Sequence, residues 1–106
     1  MLKIGVLGGD EISHAHLSVL QELKSFDITG FYAQNQNNAA TILSKFNVTQ
    51  FTDIETLIQH SDVIDIASSS VPHYKCAELT LKNTKHLFIE NPVTSTIDEA
   101  KKLLNL

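Results

Sequence analysis

The chain of 106 residues contains no arginine. Its 8 basic residues are all lysine and face 12 acidic ones, for a net charge of −4. A surface for nucleic acid or for an anionic membrane needs a basic patch, and this balance argues against both partners. The single cysteine, Cys76, excludes an internal disulfide and a cysteine framework for a metal. It fits a reducing compartment, so a cytoplasmic setting is expected. No apolar run approaches the ~18 residues of a membrane-spanning helix. A strand pattern starts at Leu2, so no secretory leader is expected. Internal repeats, low-complexity tracts and linkers are also missing. What is present is 42% hydrophobic and 19% charged, the balance of a globular domain. The length suffices for one domain with a real core, but not for two.

Apolar runs alternate with helical periods along the whole chain. Leu2–Leu7, Ile28–Tyr32, Val48–Phe51, Val63–Ala67 and His86–Ile89 read as five strands, with Asp65 the one interruption of the fourth. Ile12, Ala15, His16, Val19, Leu20 and Leu23 recur at helical spacing, as do Ala39, Ile42, Leu43 and Phe46. Thr52-x-x-Glu55 has the form of a capping box for a short helix through Ile54, Leu57 and Ile58. A fourth helix is expected from about Pro72 to about Asn83. A second capping box, Thr96-x-x-Glu99, opens a fifth helix through Ile97, Ala100 and Leu104. Strict β-α alternation with short connections predicts an α/β fold, a doubly wound parallel sheet of five strands and five helices. The near-continuous apolar strands agree, because a parallel sheet is covered on both faces.

In such sheets ligands sit beyond the carboxyl ends of the strands, so the residues just after each strand are the site candidates. After the first come Gly8, Gly9, Asp10, Glu11, Ile12 and Ser13. A strand, a glycine turn and a helix is the opening of a dinucleotide-binding unit, whose fingerprint is Gly-x-Gly-x-x-Gly. Here the frame reads Gly8-x-Asp10-x-x-Ser13, with a carboxylate at the second glycine. The opening of a helix carries free N–H groups and a partial positive charge, and a pyrophosphate normally uses both. Asp10 is suited to cap that helix itself. A phosphate about 5 Å from it would meet roughly 3 kcal/mol of repulsion at an effective dielectric near 20.

After the second strand comes Ala33, where an acidic residue would hold the ribose hydroxyls of NAD and a nearby arginine the extra phosphate of NADP. After the fourth come Ser68, Ser69 and Ser70, with His73 close behind, and after the fifth come Glu90, Asn91 and Pro92. Capping and solvent-facing roles compete with ligand contacts at each of these places. The serines and His73 do not form a Ser-His-Asp triad. His14 and His16 are two apart and share no helix face, so no metal site is expected. His60 and His86 have no evident partner, and Cys76 reads as a small core residue.

The combination of KIGVLGG, HAHLSVL and DVIDIASSSVPHYKCAELTLKNTKHLFIENPVT resembles the Gfo/Idh/MocA oxidoreductases. The resemblance covers essentially all 106 residues and matches the family's N-terminal Rossmann domain. It implies NAD or NADP as cofactor, held by Gly8, Gly9, Asp10, Glu11, Ile12, Ala33, Ser68, Ser69, His73, Glu90 and Asn91. It also implies hydride transfer to or from a sugar, a polyol or a related hydroxyl carbon. In the family a lysine of Glu-Lys-Pro assists proton transfer beside the nicotinamide. The matching residue is Asn91, whose amide cannot serve as acid or base. The family's substrate domain, which carries its catalytic His and Asp, has no counterpart in residues 1–106, so no catalytic residue is assigned. Four departures, Asp10, Ser13, Ala33 and Asn91, touch the cofactor or the chemistry and spare the strands. They imply weak or lost dinucleotide binding. The alternative expectation is a non-catalytic binding or assembly module that retains the fold.

Overall fold

A computed structural model describes residues 2–67 and 73–89, the side chains of His73 and Ile89 excepted. The elements run β1 (Leu2–Leu7), α1 (Glu11–Leu20), β2 (Phe26–Tyr32), α2 (Gln36–Lys45), α3 (Ile54–Gln59), β3 (Val63–Ile66), α4 (His73–Lys82) and β4 (His86–Ile89). The strands form one parallel sheet in the order β2-β1-β3-β4. Alternate residues of the central strands serve opposite faces, as a pleated strand requires. Ile4 and Val6 of β1 and Val63 of β3 meet Leu17 and Leu20 of α1 and Ala39 and Ile42 of α2. Leu7 of β1 and Ile64 and Ile66 of β3 meet Leu57 and Ile58 of α3 and Cys76 and Ala77 of α4. The sheet is thus wound on both faces. Chain direction across it reverses between β1 and β3, which puts the switch point just beyond Leu7 and Ile66.

The pairing of β1 with β2 slips once: Ile4 lies opposite Ile28, but Gly5 lies opposite Gly30. The extra residue, Thr29, reverses the alternation of β2. Phe26 and Ile28 before the slip, and Phe31 and Ala33 after it, therefore all reach the α1/α2 core.

Four strands and four helices are found among the described residues, against an expectation of five of each. The expected strand Val48–Phe51 is a single bridge, Gln50 to Phe31. Phe31 N–H donates to the Thr49 carbonyl at 2.9 Å and Phe51 N–H to the Phe31 carbonyl at 2.8 Å. Pairing ends there because the chain must turn within two residues to start α3. The cap of α3 is also shifted by one. Asp53, not Thr52, receives the Thr56 N–H at 3.1 Å and the Thr56 hydroxyl at 2.6 Å. These bonds hold the Asp53 carboxyl below its ordinary value. The second strand starts at Phe26, two residues earlier than expected, and α1 ends at Leu20 rather than running to Leu23. The fifth helix expected after Thr96 lies outside the described residues.

Cys76 is buried, as its sequence setting suggested, and desolvation pushes its thiol up to about 11. Such a group is a core packing element rather than a nucleophile at neutral pH.

Helix α4 ends in a Schellman arrangement. Lys85 N–H donates to the Thr80 carbonyl at 3.1 Å and Thr84 N–H to the Leu81 carbonyl at 3.0 Å. The arrangement demands a left-handed residue, and the chain supplies a β-branched one, Thr84, at φ 57°. Asparagine tolerates that conformation better. Thr84→Asn is therefore expected to raise stability by about 1 kcal/mol in urea unfolding, with an unchanged denaturant slope.

Candidate functional site

The site grows from the turn between β1 and α1. Gly8 N–H donates to the Tyr32 carbonyl at 2.7 Å, the last bond between β1 and β2. Its φ of 141° lies where only glycine is comfortable, and this lets the chain leave the sheet sharply. Gly9 follows against the end of β2. A Cβ there would stand 2.8 Å from the Ala33 Cβ and 2.9 Å from the Asn38 Cβ. Gly8, the one fingerprint glycine that remains, and its neighbour Gly9 are therefore both needed for the turn itself.

Asp10 then caps α1 in the manner expected of it. Its Oδ1 accepts the Ile12 N–H at 3.1 Å and the Ser13 N–H at 3.4 Å. The carboxylate is turned in over the opening of the helix. Glu11, the first helical residue, is exposed and adds a second negative charge to the same turn. Ile12 is half-buried and packs on the α1/α2 core. Ser13 is fully buried, and its hydroxyl donates to the Ala67 carbonyl at 2.6 Å. A glycine at this position would serve close packing of helix on strand. Serine keeps the packing and adds a bond that ties α1 to the end of β3, across the switch point.

Beside this turn lies an open depression of about 480 Å³ lined by Gly9, Asp10, Glu11, His14, Asn38, Thr41 and Lys45. Gly9 of this turn also lies beside Ala33 at the end of β2. Ala33 contributes no polar group, and it is 9% exposed. His73 is the first residue of α4. Ser68, Ser69, Glu90 and Asn91 lie outside the described residues. Among the described residues no group of three His, Cys, Asp or Glu side chains could hold a metal, and no helix is long and apolar enough to cross a membrane.

One feature escaped the sequence reading. His16 of α1 and Asp65 of β3 meet at 2.6 Å through Nδ1 and Oδ2. The pair sits on the wall of a second depression of about 510 Å³, otherwise lined by apolar residues such as Val19, Leu23 and Phe88. Both residues had been noted separately, His16 on the apolar stripe of its helix and Asp65 as a charge inside an apolar strand. A buried carboxylate requires a partner, and this was the signal that could have joined them. Two other histidines also have neighbours: His60 Nδ1 lies 2.8 Å from the Thr56 carbonyl, and the His14 ring stands edge-on to Phe46.

The Ser13 tie is directly measurable. Ser13→Ala removes a buried hydroxyl bond whose acceptor then lacks that donor. A loss of about 1–2 kcal/mol in urea unfolding is expected, with the sheet retained by circular dichroism.

A family model described as an oxidoreductase family with an NAD-binding Rossmann fold matches residues 2–106. Glucose-6-phosphate 3-dehydrogenase of Bacillus subtilis is 32% identical over 100 residues, 94% of this chain and 29% of that protein. The scyllo-inositol 2-dehydrogenase (NADP(+)) IolU of the same organism is 23% identical over 108 residues, 99% of this chain and 33% of that one. Among solved structures, the dehydrogenase MviM from Clostridium difficile superposes with a TM-score of 0.88 at 27% identity, over 98% of this chain and 35% of that one. The chain spans about a third of the length of the curated relatives it matches. By sequence along almost its whole length, and by fold, the chain belongs to the Gfo/Idh/MocA oxidoreductases, whose NAD(P)-binding Rossmann fold it shares.

Proposed function

We propose that residues 1–106 form the cofactor-binding domain of an oxidoreductase acting on a sugar, a polyol or a related hydroxyl substrate, and that this domain holds its dinucleotide weakly. The relatives' named activities, on glucose 6-phosphate and on scyllo-inositol, support the substrate class. The observation that carries the reading of weak binding is the Asp10 carboxylate over the opening of α1, which accepts the Ile12 and Ser13 N–H groups.

The fit of a dinucleotide can be judged residue by residue. Gly8 and Gly9 give the tight turn that a diphosphate needs at a strand-to-helix junction. The positive end of α1 points the right way. Asp10 and Glu11 oppose the ligand's charge, and Asp10 also takes N–H donors for itself. The backbone therefore suits the group, while the charges reduce its affinity. A bound nicotinamide would supply the hydride acceptor. The chain's own part is to hold the diphosphate at Gly8–Ile12 and the adenosine end near Ala33. Ser68, Ser69, His73, Glu90 and Asn91 are proposed as further contacts. The amide of Asn91 moves no proton, so turnover on these residues alone is not expected.

The alternative, a binding or assembly module without a cofactor, draws on the same site. Asp10 caps the helix and Ser13 ties it to β3, so two of the helix's first N–H groups are taken without any ligand. Titration of isotope-labelled protein with NAD and NADP, followed through backbone amide shifts, separates the two. Saturating shifts at Gly8–Ser13 with dinucleotide below about 1 mM, a binding free energy near 4 kcal/mol, are expected. Flat spectra to several times that concentration would favour the module.

A further inference from the structure

Large apolar side chains that reach the surface gather on one side of the sheet. Among the described residues these are Leu2, Val19, Leu23, Leu43 and Phe88. Val19, Leu23 and Phe88 line the depression of about 510 Å³ on the α1 face. Leu2 belongs with them. It shares a face of β1 with Ile4 and pairs in register with Phe26, and both of those residues line the same depression. Leu43, on α2, is the exception.

No lining residue belongs to the Gly8–Ser13 turn, so the patch stands apart from the dinucleotide site. Its polar members, His16 and Asp65, engage each other at 2.6 Å, and the other lining side chains are apolar. Contiguous exposed apolar surface of this kind marks a contact site.

The shape of the patch says what it contacts. Phe88 is 60% exposed at the edge of the depression, so a free ring and a hollow lie side by side. A two-fold axis brings each ring to the other copy's hollow, and one patch then satisfies its own duplicate. The charges at the rim agree. Exposed Glu22 and Lys24 flank Leu23, one of each sign, and across a two-fold axis each can meet its opposite on the second copy. Four apolar side chains make a small core. The contact therefore belongs near the lower limit of specific interfaces, about 1,200 Å² in total. On a surface of 6230 Å² that is roughly a tenth per copy, enough for a weak and reversible dimer.

We infer that the α1 face joins two copies of this chain in an isologous dimer, with Phe88 of each copy seated in the other's depression. This contact is independent of the cofactor reading.

Sedimentation equilibrium of the full chain, from about 10 μM to about 1 mM, tests it. The expected result is a monomer–dimer equilibrium with a dissociation constant on the order of 100 μM and no larger species, because an isologous contact closes at two. Phe88→Lys on β4 and Val19→Lys on α1 each put a charge into the contact from a different element. Each should weaken association by about tenfold or more. Both side chains are exposed in the monomer, so urea unfolding should show the fold retained. A chain that stays monomeric at about 1 mM, grows past the dimer, or dimerises equally well with both substitutions would overturn the inference. In the monomeric case the dye anilinonaphthalene sulfonate sorts the other occupants. Uptake that Phe88→Lys abolishes would assign the face to a small apolar ligand, and no uptake would assign it to a further part of a longer chain.

Discussion

The opening of α1 must find partners for its first N–H groups, and this chain meets that demand with its own carboxylate. In a ligand-dependent turn those donors wait for a diphosphate. Here Asp10 receives two of them, from Ile12 and Ser13. The second departure in the same frame has a structural use as well. Ser13 gives its hydroxyl to Ala67, so the first helix is fastened to the end of the strand across the switch point. The two residues thus occupy two of the helix's first donors and fasten it to β3, while Gly8 and Gly9 shape the turn. Geometry suited to a nucleotide and charge set against it coexist in six consecutive residues.

Among the described residues, the two faces of the sheet are not equally closed. On the α3/α4 face, Ile64, Ile66, Cys76 and Ala77 are all buried. On the α1 face, Phe88 of β4 is 60% exposed and its register partner on β3, Asp65, is paired with His16. A charge inside an apolar strand costs desolvation that a close partner offsets only in part, so the pair adds specificity more readily than stability.

Most of the fold could be read from the sequence because periodicity reports burial. β1, β3, β4 and α1 to α4 lie where their apolar spacing put them, within a few residues at the ends. Val48–Phe51 misled because four β-prone residues suffice to suggest a strand, yet the turn into α3 leaves room for one bridge. Thr52 misled as a cap because Asp53, one residue on, is the stronger acceptor. At the site, the role of Asp10 was legible because a cap is a local event, set by residues two and three positions away. The Ser13–Ala67 and His16–Asp65 contacts were not, because their partners are 54 and 49 residues distant and only the folded sheet brings them together.

The central claim is that the charge of Asp10, rather than its shape or its cap, weakens dinucleotide binding. Asp10→Asn separates these, since asparagine caps a helix about as well as aspartate but carries no charge. The deciding measurement is the NADP dissociation constant of this variant against the wild type, with thermal unfolding followed in parallel. The account predicts binding tightened by about tenfold or more at nearly unchanged stability. An affinity that stays the same while the cap and the fold survive would contradict it.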